Sequence, residues 1–163
     1  MIRRLLRPAI LLPVAVVAVV AVATGLYLFQ PWRLLTDVTV DEATPASTVV
    51  AEGTFISHEH GTSGTVQVLD LGDGERVLRL TGLDTSNGPD LKVWLADAPV
   101  LDGPDGWFVF DDGDYVDLGS LKGNQGNQNY PIPATVDLAA LTSVSIWCDR
   151  FNVSFGAAQL QVV

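Results

Sequence analysis

The sequence predicts an all-β domain, an antiparallel β-sandwich or barrel, preceded by a single N-terminal transmembrane helix. Three observations carry this. Pro8 to Phe29 is an unbroken uncharged run. From Ala51 onward the apolar residues recur mostly with a period of two, the period of strands with one face buried. Dense Gly and Asp turns separate these runs, as in sandwiches and barrels.

The apolar run comes first. At ~1.5 Å per residue it would span ~33 Å, enough for a hydrocarbon core of about 30 Å. Arg3, Arg4 and Arg7 precede it, and Arg33 is the only basic residue between it and Arg76. The positive-inside rule therefore puts residues 1–7 in the cytoplasm and the rest of the chain outside it. Ala21-Val22-Ala23 has the small-x-small form of a signal-peptidase site. The run continues beyond it through Gly-Leu-Tyr-Leu-Phe, however, and is long for a cleaved signal, so an uncleaved signal anchor over 8–29 is expected. The expected address is the cell membrane, single-pass, with the domain extracytoplasmic.

Residues 30–50 show no helical period and are rich in Thr, Ser, Ala and acid; they read as a tether. The domain then covers 51–163, a size that suits one core. Its strands are expected around Val66 and Val68, Leu78 and Leu80, Leu91 to Leu95, Val144 to Cys148, Phe151 to Phe155, and Ala158 to Val162. Turns fall at Gly72-Asp73-Gly74, Ser86 to Pro89, Asp102 to Gly106 and Asp112 to Asp114. Asp137 to Leu141 suits one helical turn capped by Asp137.

All nineteen acidic residues follow residue 36, where only Arg76, Arg79, Lys92, Lys122 and Arg150 oppose them, giving 5 − 19 = −14 for that part. Such a field repels nucleic acid and anionic headgroups, so nucleic acid is excluded as a partner. The acids at Asp111, Asp112, Asp114 and Asp117 lack calcium-loop spacing and read as a solvated turn.

Cys148 is the only cysteine. Outside the cytoplasm a cysteine ordinarily pairs within its chain, which this one cannot do. The count also removes a dithiol centre and Cys-x-x-Cys-His haem attachment. Strand alternation places Cys148 with Val144 and Ile146 on a buried face, where a thiol has a raised pKa and is a poor nucleophile. The two histidines, His58 and His60, flank Glu59 and form a weak candidate metal pair. A conventional blue-copper loop is absent: no histidine follows Cys148 and the one methionine is Met1. No nucleophile elbow surrounds Cys148, so an autonomous enzyme is not expected, and the sequence requires no cofactor.

Four segments occur together: Gly53-Thr54-Phe55 with His60 and Gly64; Asn87-Gly88-Pro89-Asp90-Leu91-Lys92-Val93-Trp94-Leu95; Leu118 to Pro133, containing Leu-Lys-Gly-Asn-Gln-Gly-Asn-Gln-Asn-Tyr-Pro-Ile-Pro; and Ser143 to Ala158, containing Ile-Trp-Cys-Asp-Arg-Phe. In this order they resemble the DM13 domain over roughly 51–163. The resemblance implies an all-β, extracellular or membrane-tethered domain with a proposed electron-transfer role. It puts Cys148 at the motif cysteine, as candidate redox thiol, and matches His60, as a possible assisting residue, to a histidine common in similar bacterial sequences. Haem and copper are the cofactors left open, and the partner implied is a separate redox or cell-envelope protein. The alternative is a non-enzymatic cell-surface binding module, in which the polar loop of Asn124, Gln125, Asn127 and Gln128, with Tyr130, Trp94 and Trp107, contacts a protein or glycan.

Overall fold

The computed structural model describes residues 8–72 and 74–163. The expected cytoplasmic segment 1–7 and Asp73, at the tip of one predicted turn, lie outside the described residues. The chain divides into two units, the second beginning at Arg33.

The first unit holds helix α1, Pro8–Phe29. Its Leu11–Phe29 stretch is long and apolar enough to cross a membrane, with a mean hydropathy of 2.4 and none of that stretch buried. Pro13 lies early in the helix, where a missing backbone N–H costs least.

The second unit holds ten strands: β1 Thr39–Asp41, β2 Thr48–Ser57, β3 Ser63–Gly72, β4 Glu75–Asp84, β5 Leu91–Ala96, β6 Tyr115–Ser120, β7 Gln125–Ile132, β8 Ser143–Cys148, β9 Val153–Gln159 and β10 Gln161–Val162. They form one curled mixed sheet in the order β1-β7-β4-β3-β2-β9-β8-β5-β6, with β10 also on β2. Among the described residues only β1 and β7 pair in parallel.

β2 makes the curl possible. Residues 48–54 pair with β3, whereas Phe55, Ile56 and Ser57 pair with Ala158, Ala157 and Gly156 of β9. One long strand thus belongs to two halves of the sheet, as at sandwich corners. Register shifts at Val49/Ala51 in β2, at Ser63/Thr65 in β3 and at Ile146/Trp147 in β8 add local bends, because an extra residue tightens the twist. The two halves then face each other. Val66, Val68, Leu78 and Leu80 from one pack into a single core with Val93, Leu95, Val144, Ile146, Cys148 and Phe155 from the other.

The opposite face of β5, β8 and β9 is buried as well. Trp94, Ala96, Trp147 and Ala157 form a second apolar cluster under Ala98 and Phe110, which come from the long connection between β5 and β6. This is why every residue of β8 is buried. The predicted turn at 137–141 is present: Ala139 N donates to Asp137 Oδ1 at 2.9 Å, and Leu141 N to Asp137 O at 3.0 Å.

The segment read as a tether is the main departure from expectation. Arg33 Nη1 donates to Gly88 O (3.3 Å), Asn87 Nδ2 to Thr36 O (3.0 Å) and Val38 N to Asn124 Oδ1 (2.7 Å). β1 then runs beside β7, and Asn129 Nδ2 donates to Ala43 O at 2.9 Å. Residues 33–43 therefore belong to the domain. Their polar composition misled because the bonds that hold them come from amide side chains and the backbone, which leave no hydrophobic period.

Candidate functional site

Cys148 ends β8, opposite Leu91 of β5 and Val153 of β9. It is fully buried, 0% exposed. Its Sγ donates to the Pro89 carbonyl at 3.3 Å. The next residue joins the same segment, Asp149 N donating to Asp90 O at 3.1 Å, and Phe151 N closes the turn on Cys148 O at 3.2 Å. Burial pushes the thiol pKa up. The backbone N–H groups of Phe151 and Arg150 pull it down by less, and the carboxylates of Asp90 and Glu59 add to the rise. The closed site thus holds a protonated thiol used as a hydrogen-bond donor, and a protonated thiol is a weak nucleophile.

Two non-glycine residues in left-handed conformation flank this thiol: Asp90 with φ 64° and Asn152 with φ 48°. Asp and Asn tolerate that region better than other side chains, at some cost in backbone energy. Asp149, Phe151 and Asn152 are themselves exposed, so a single solvent-facing turn follows the buried sulfur.

The His60 ring packs on Phe155 with centroids 3.9 Å apart and planes tilted by 46°, and its Nε2 lies 2.6 Å from Glu59 Oε2. Phe155 in turn packs on Gly88, where an added Cβ would lie 2.9 Å from the ring. His60 is thus linked to the thiol environment through Glu59, one of the charges acting on it, and through Phe155.

His58 is placed differently. β2 ends at Ser57, so the two histidines do not extend the strand as a same-face pair. The His58 ring is buried, with Nε2 3.1 Å from Leu101 O and Nδ1 2.8 Å from Ser154 Oγ. A carbonyl only accepts, so Nε2 carries the proton and Nδ1 accepts from Ser154. Ser145 Oγ donates to Ser154 Oγ at 2.9 Å. Burial lowers the His58 pKa. Both ring nitrogens are committed to the protein, which leaves His58 no lone pair for a metal. Among the described residues no group of three or more His, Cys, Asp or Glu is arranged to hold a metal ion.

The amides of the expected binding loop are all engaged within the chain. Asn124 Nδ2 donates to Asp37 Oδ1 (2.9 Å) and Thr85 O (2.8 Å). Gln125 joins Asp84 and Thr39, and Asn127 joins Asp41 and Gly82 N. Gln128 Oε1 accepts from Lys122 N, Gly123 N and the Tyr130 hydroxyl at 2.7–3.2 Å, while Nε2 donates to Gly123 O. Tyr130 is buried and its pKa is pushed up to about 12, mainly by desolvation. Asn124 and Gln128 fold inward, whereas Gln125 and Asn127 are half-buried and make their bonds at the surface; together they clasp residues 37–43, since a strand of Gln, Gly and Asn finds its stabilisation in hydrogen bonds. Trp94 is buried too, and Trp107 packs on the core. A groove of about 600 Å³ is lined by Glu52, Thr54, Thr65, Gln67, Asp102 and Gln159; it includes none of the residues expected to bind.

Sequence reasoning missed the Pro89 carbonyl, the Ser154 and Leu101 partners of His58, and a ring stack on β5, β6 and β8. Trp147 and Trp94 lie 4.9 Å apart between centroids, and Trp94 and Tyr115 4.0 Å apart. The alternation of Trp94 with Val93 and Leu95, and of Trp147 with Ile146 and Cys148, was the available signal.

The fold and site define an all-β domain, following an apolar helix, whose one thiol is enclosed by two distant motif segments. The electron transfer DM13 family matches residues 54–160, and the chain belongs to that family. No curated protein and no solved structure matches it.

Proposed function

We propose that this is a single-pass, N-in membrane protein that presents its DM13 domain outside the cytoplasm, and that Cys148 is the redox group of that domain. Support for the anchor is the apolar helix Pro8–Phe29 preceded by Arg3, Arg4 and Arg7. The observation that carries the redox reading is the turn over the thiol. The family's motif cysteine lies directly before an exposed turn, between two left-handed non-glycine residues. Backbone strain of this kind gathers at functional sites.

The thiol acts when the Asp149–Asn152 turn lifts. Wetting removes the desolvation that keeps it protonated, and the proton goes to water. The thiolate then attacks a disulfide of a partner protein. A bond forms between Cys148 Sγ and one partner sulfur, and the other partner sulfur leaves as thiolate. Cys148 has no second cysteine beside it, so the partner resolves the mixed disulfide. His60 acts as a positioning residue by pairing with Glu59.

The test is maleimide labelling of the full-length protein in membranes. Labelling well below the denaturation midpoint, accelerated by Asn152→Val, supports the reading. Labelling that begins only with global unfolding refutes it. Carbonate extraction tests the anchor: release of the uncleaved protein into the soluble fraction overturns that part.

A further inference from the structure

The sheet breaks where β2 passes from one half to the other. Glu52 lies opposite Gln67 of β3 and Gln161 of β10, and Thr54 lies opposite Thr65 of β3. From Phe55 onward β2 pairs with β9 instead. Between these pairings Leu160 turns aside, its N–H donating to Thr142 O at 2.8 Å. Gly53 sits there against the Gln159 carbonyl, too close for a side chain. The groove of about 600 Å³ lies over this break. Glu52 and Thr54 line it from β2, alternating with the core residues Ala51 and Phe55. The β5–β6 connection contributes Val100 and Asp102. That wall is fixed in place. Pro99 and Pro104 bracket it, each with φ locked by its ring. Between them the Leu101 carbonyl accepts from buried His58 Nε2 at 3.1 Å, and Gly106 packs against the same carbonyl. The His58 bond thus positions the backbone beside Asp102.

A second observation concerns the polar side chains of the groove. The amides of β7 are all used within the chain. Those of the groove are not. The side chains of Thr54, Thr65, Gln67 and Gln161 make no hydrogen bond to any described residue. Glu52 and Asp102 have neither a hydrogen bond nor an ion pair among the described residues, and no Lys or Arg lines the groove. Two unpaired carboxylates in one concave site attract a cation, and the acidic field of the domain draws cationic partners towards it. Hydroxyls and amides both donate and accept, which matches the alternating N–H and C=O groups of a peptide. None of the lining residues is aromatic, so a sugar ring finds no face to stack on.

We propose that this groove binds an extended, lysine- or arginine-bearing segment of a partner protein. Its cationic side chains meet Glu52 and Asp102, and its backbone meets the Thr and Gln side chains. Ile56 and Val100 add apolar contact. The groove shares no residue with the Cys148 turn, so the inference goes beyond the thiol chemistry and does not depend on it. Both carboxylates are exposed. Each charge pair alone therefore contributes little, and binding weakens as salt is added.

Titration calorimetry of the full-length protein in non-ionic detergent at low ionic strength tests this, with amidated tetralysine as the probe. The peptide is expected to bind. Glu52→Gln combined with Asp102→Asn should weaken it about fivefold or more. Glu75→Gln combined with Asp111→Asn removes two exposed carboxylates outside the groove, and should change the affinity by less than about twofold. All four positions are exposed, and near-ultraviolet circular dichroism checks that both variants stay folded. Tetralysine acetylated on its side chains keeps the amides without the charge and should not bind. Spermine keeps charge without the amides and should bind more weakly than tetralysine. Equal losses in the two double variants would mean that the peptide only samples the acidic surface. Equal affinity for spermine would make this a polyamine site, and binding of chitotriose in place of tetralysine a glycan site. Each of these results overturns the proposal, as does the absence of binding at millimolar peptide.

Discussion

Cys148 Sγ donates a hydrogen bond to the Pro89 carbonyl across 3.3 Å, joining positions 59 residues apart in sequence. This contact ties the Gly88-Pro89-Asp90 segment to the Cys148–Asn152 turn, and the Asp149 N to Asp90 O bond reinforces it. Two stretches that look like separate motifs in the sequence are thus one structural unit around a sulfur. The thiol is buried, but its surroundings are not wholly apolar: a carbonyl accepts from it and backbone N–H groups act on it.

That polarity predicts an unusual order of substitutions. Cys148→Ser keeps a donor for Pro89 O and an acceptor for the turn. Cys148→Val fills the space but leaves those groups unpaired, and should cost about 1–3 kcal/mol. Urea denaturation should therefore rank Ser above Val in stability. The opposite order would mean that the site behaves as plain hydrophobic core.

The alternation of Val144, Ile146 and Cys148 with Ser143 and Ser145 was enough to put the thiol in the core, although it gave no sign that the serine-bearing face of β8 is buried too. β6 and β7 were not legible in the same way. β6 is an edge strand that exposes Tyr115 and Asp117. β7 does alternate, with Gln128, Tyr130 and Ile132 buried, but its buried face begins with an amide satisfied by hydrogen bonds, so no apolar pattern marks it. The site followed the same division. Cys148 was visible as a residue, whereas its partner is a backbone carbonyl, which leaves no trace in side-chain chemistry.

The clasp gives a second prediction. Asn124 is buried and satisfies Val38 N, Asp37 and Thr85 O at once. Asn124→Ala leaves buried backbone groups without partners, at about 1–3 kcal/mol. It should also free residues 37–43, so a glutamate-specific protease should cut faster at Glu42, which is otherwise held by Lys122 at 2.7 Å. Unchanged cleavage would show that β1 is held by something other than this amide. Gly126 offers an independent check. It has φ 98° and lies against the Val40 carbonyl, so Gly126→Ala should displace β1 and cost at least about 1–2 kcal/mol.

His58 predicts an acid-sensitive component of stability. Its pKa is lowered in the folded state, chiefly by burial. Below an ordinary value of about 6.5 the unfolded chain therefore binds the proton first. The stabilisation is complete above that pH and declines as pH falls towards the folded value. His58→Phe should remove this slope while costing about 1–3 kcal/mol near neutrality, because Leu101 O and Ser154 Oγ lose a partner. Urea midpoints across the acid range would check both effects, and an unchanged slope would assign the acid sensitivity to another group.

Tyr130 sets the opposite limit. Its hydroxyl donates to Gln128 Oε1 at 2.7 Å and accepts from Lys122 N at 3.0 Å, and its pKa rises from 10.0 to about 12 with burial as the largest cause. Below about pH 10 the phenol is neutral in both states and its contribution is intact. Between about 10 and 12 the unfolded chain gives up its proton first, so stability falls with rising pH, by about 2–3 kcal/mol in all. Cys148, also raised, starts a similar decline from about pH 8.5, so the two must be separated. In a Cys148→Ser background the decline should begin only near the tyrosine range, and adding Tyr130→Phe should abolish most of it. Ultraviolet titration provides the direct readout. A late phenol ionisation should be seen in the folded wild type and should be missing in Tyr130→Phe. If Tyr130→Phe leaves the late part of the titration unchanged, the clasp around Gln128 is open to water and does not hold the phenol as described.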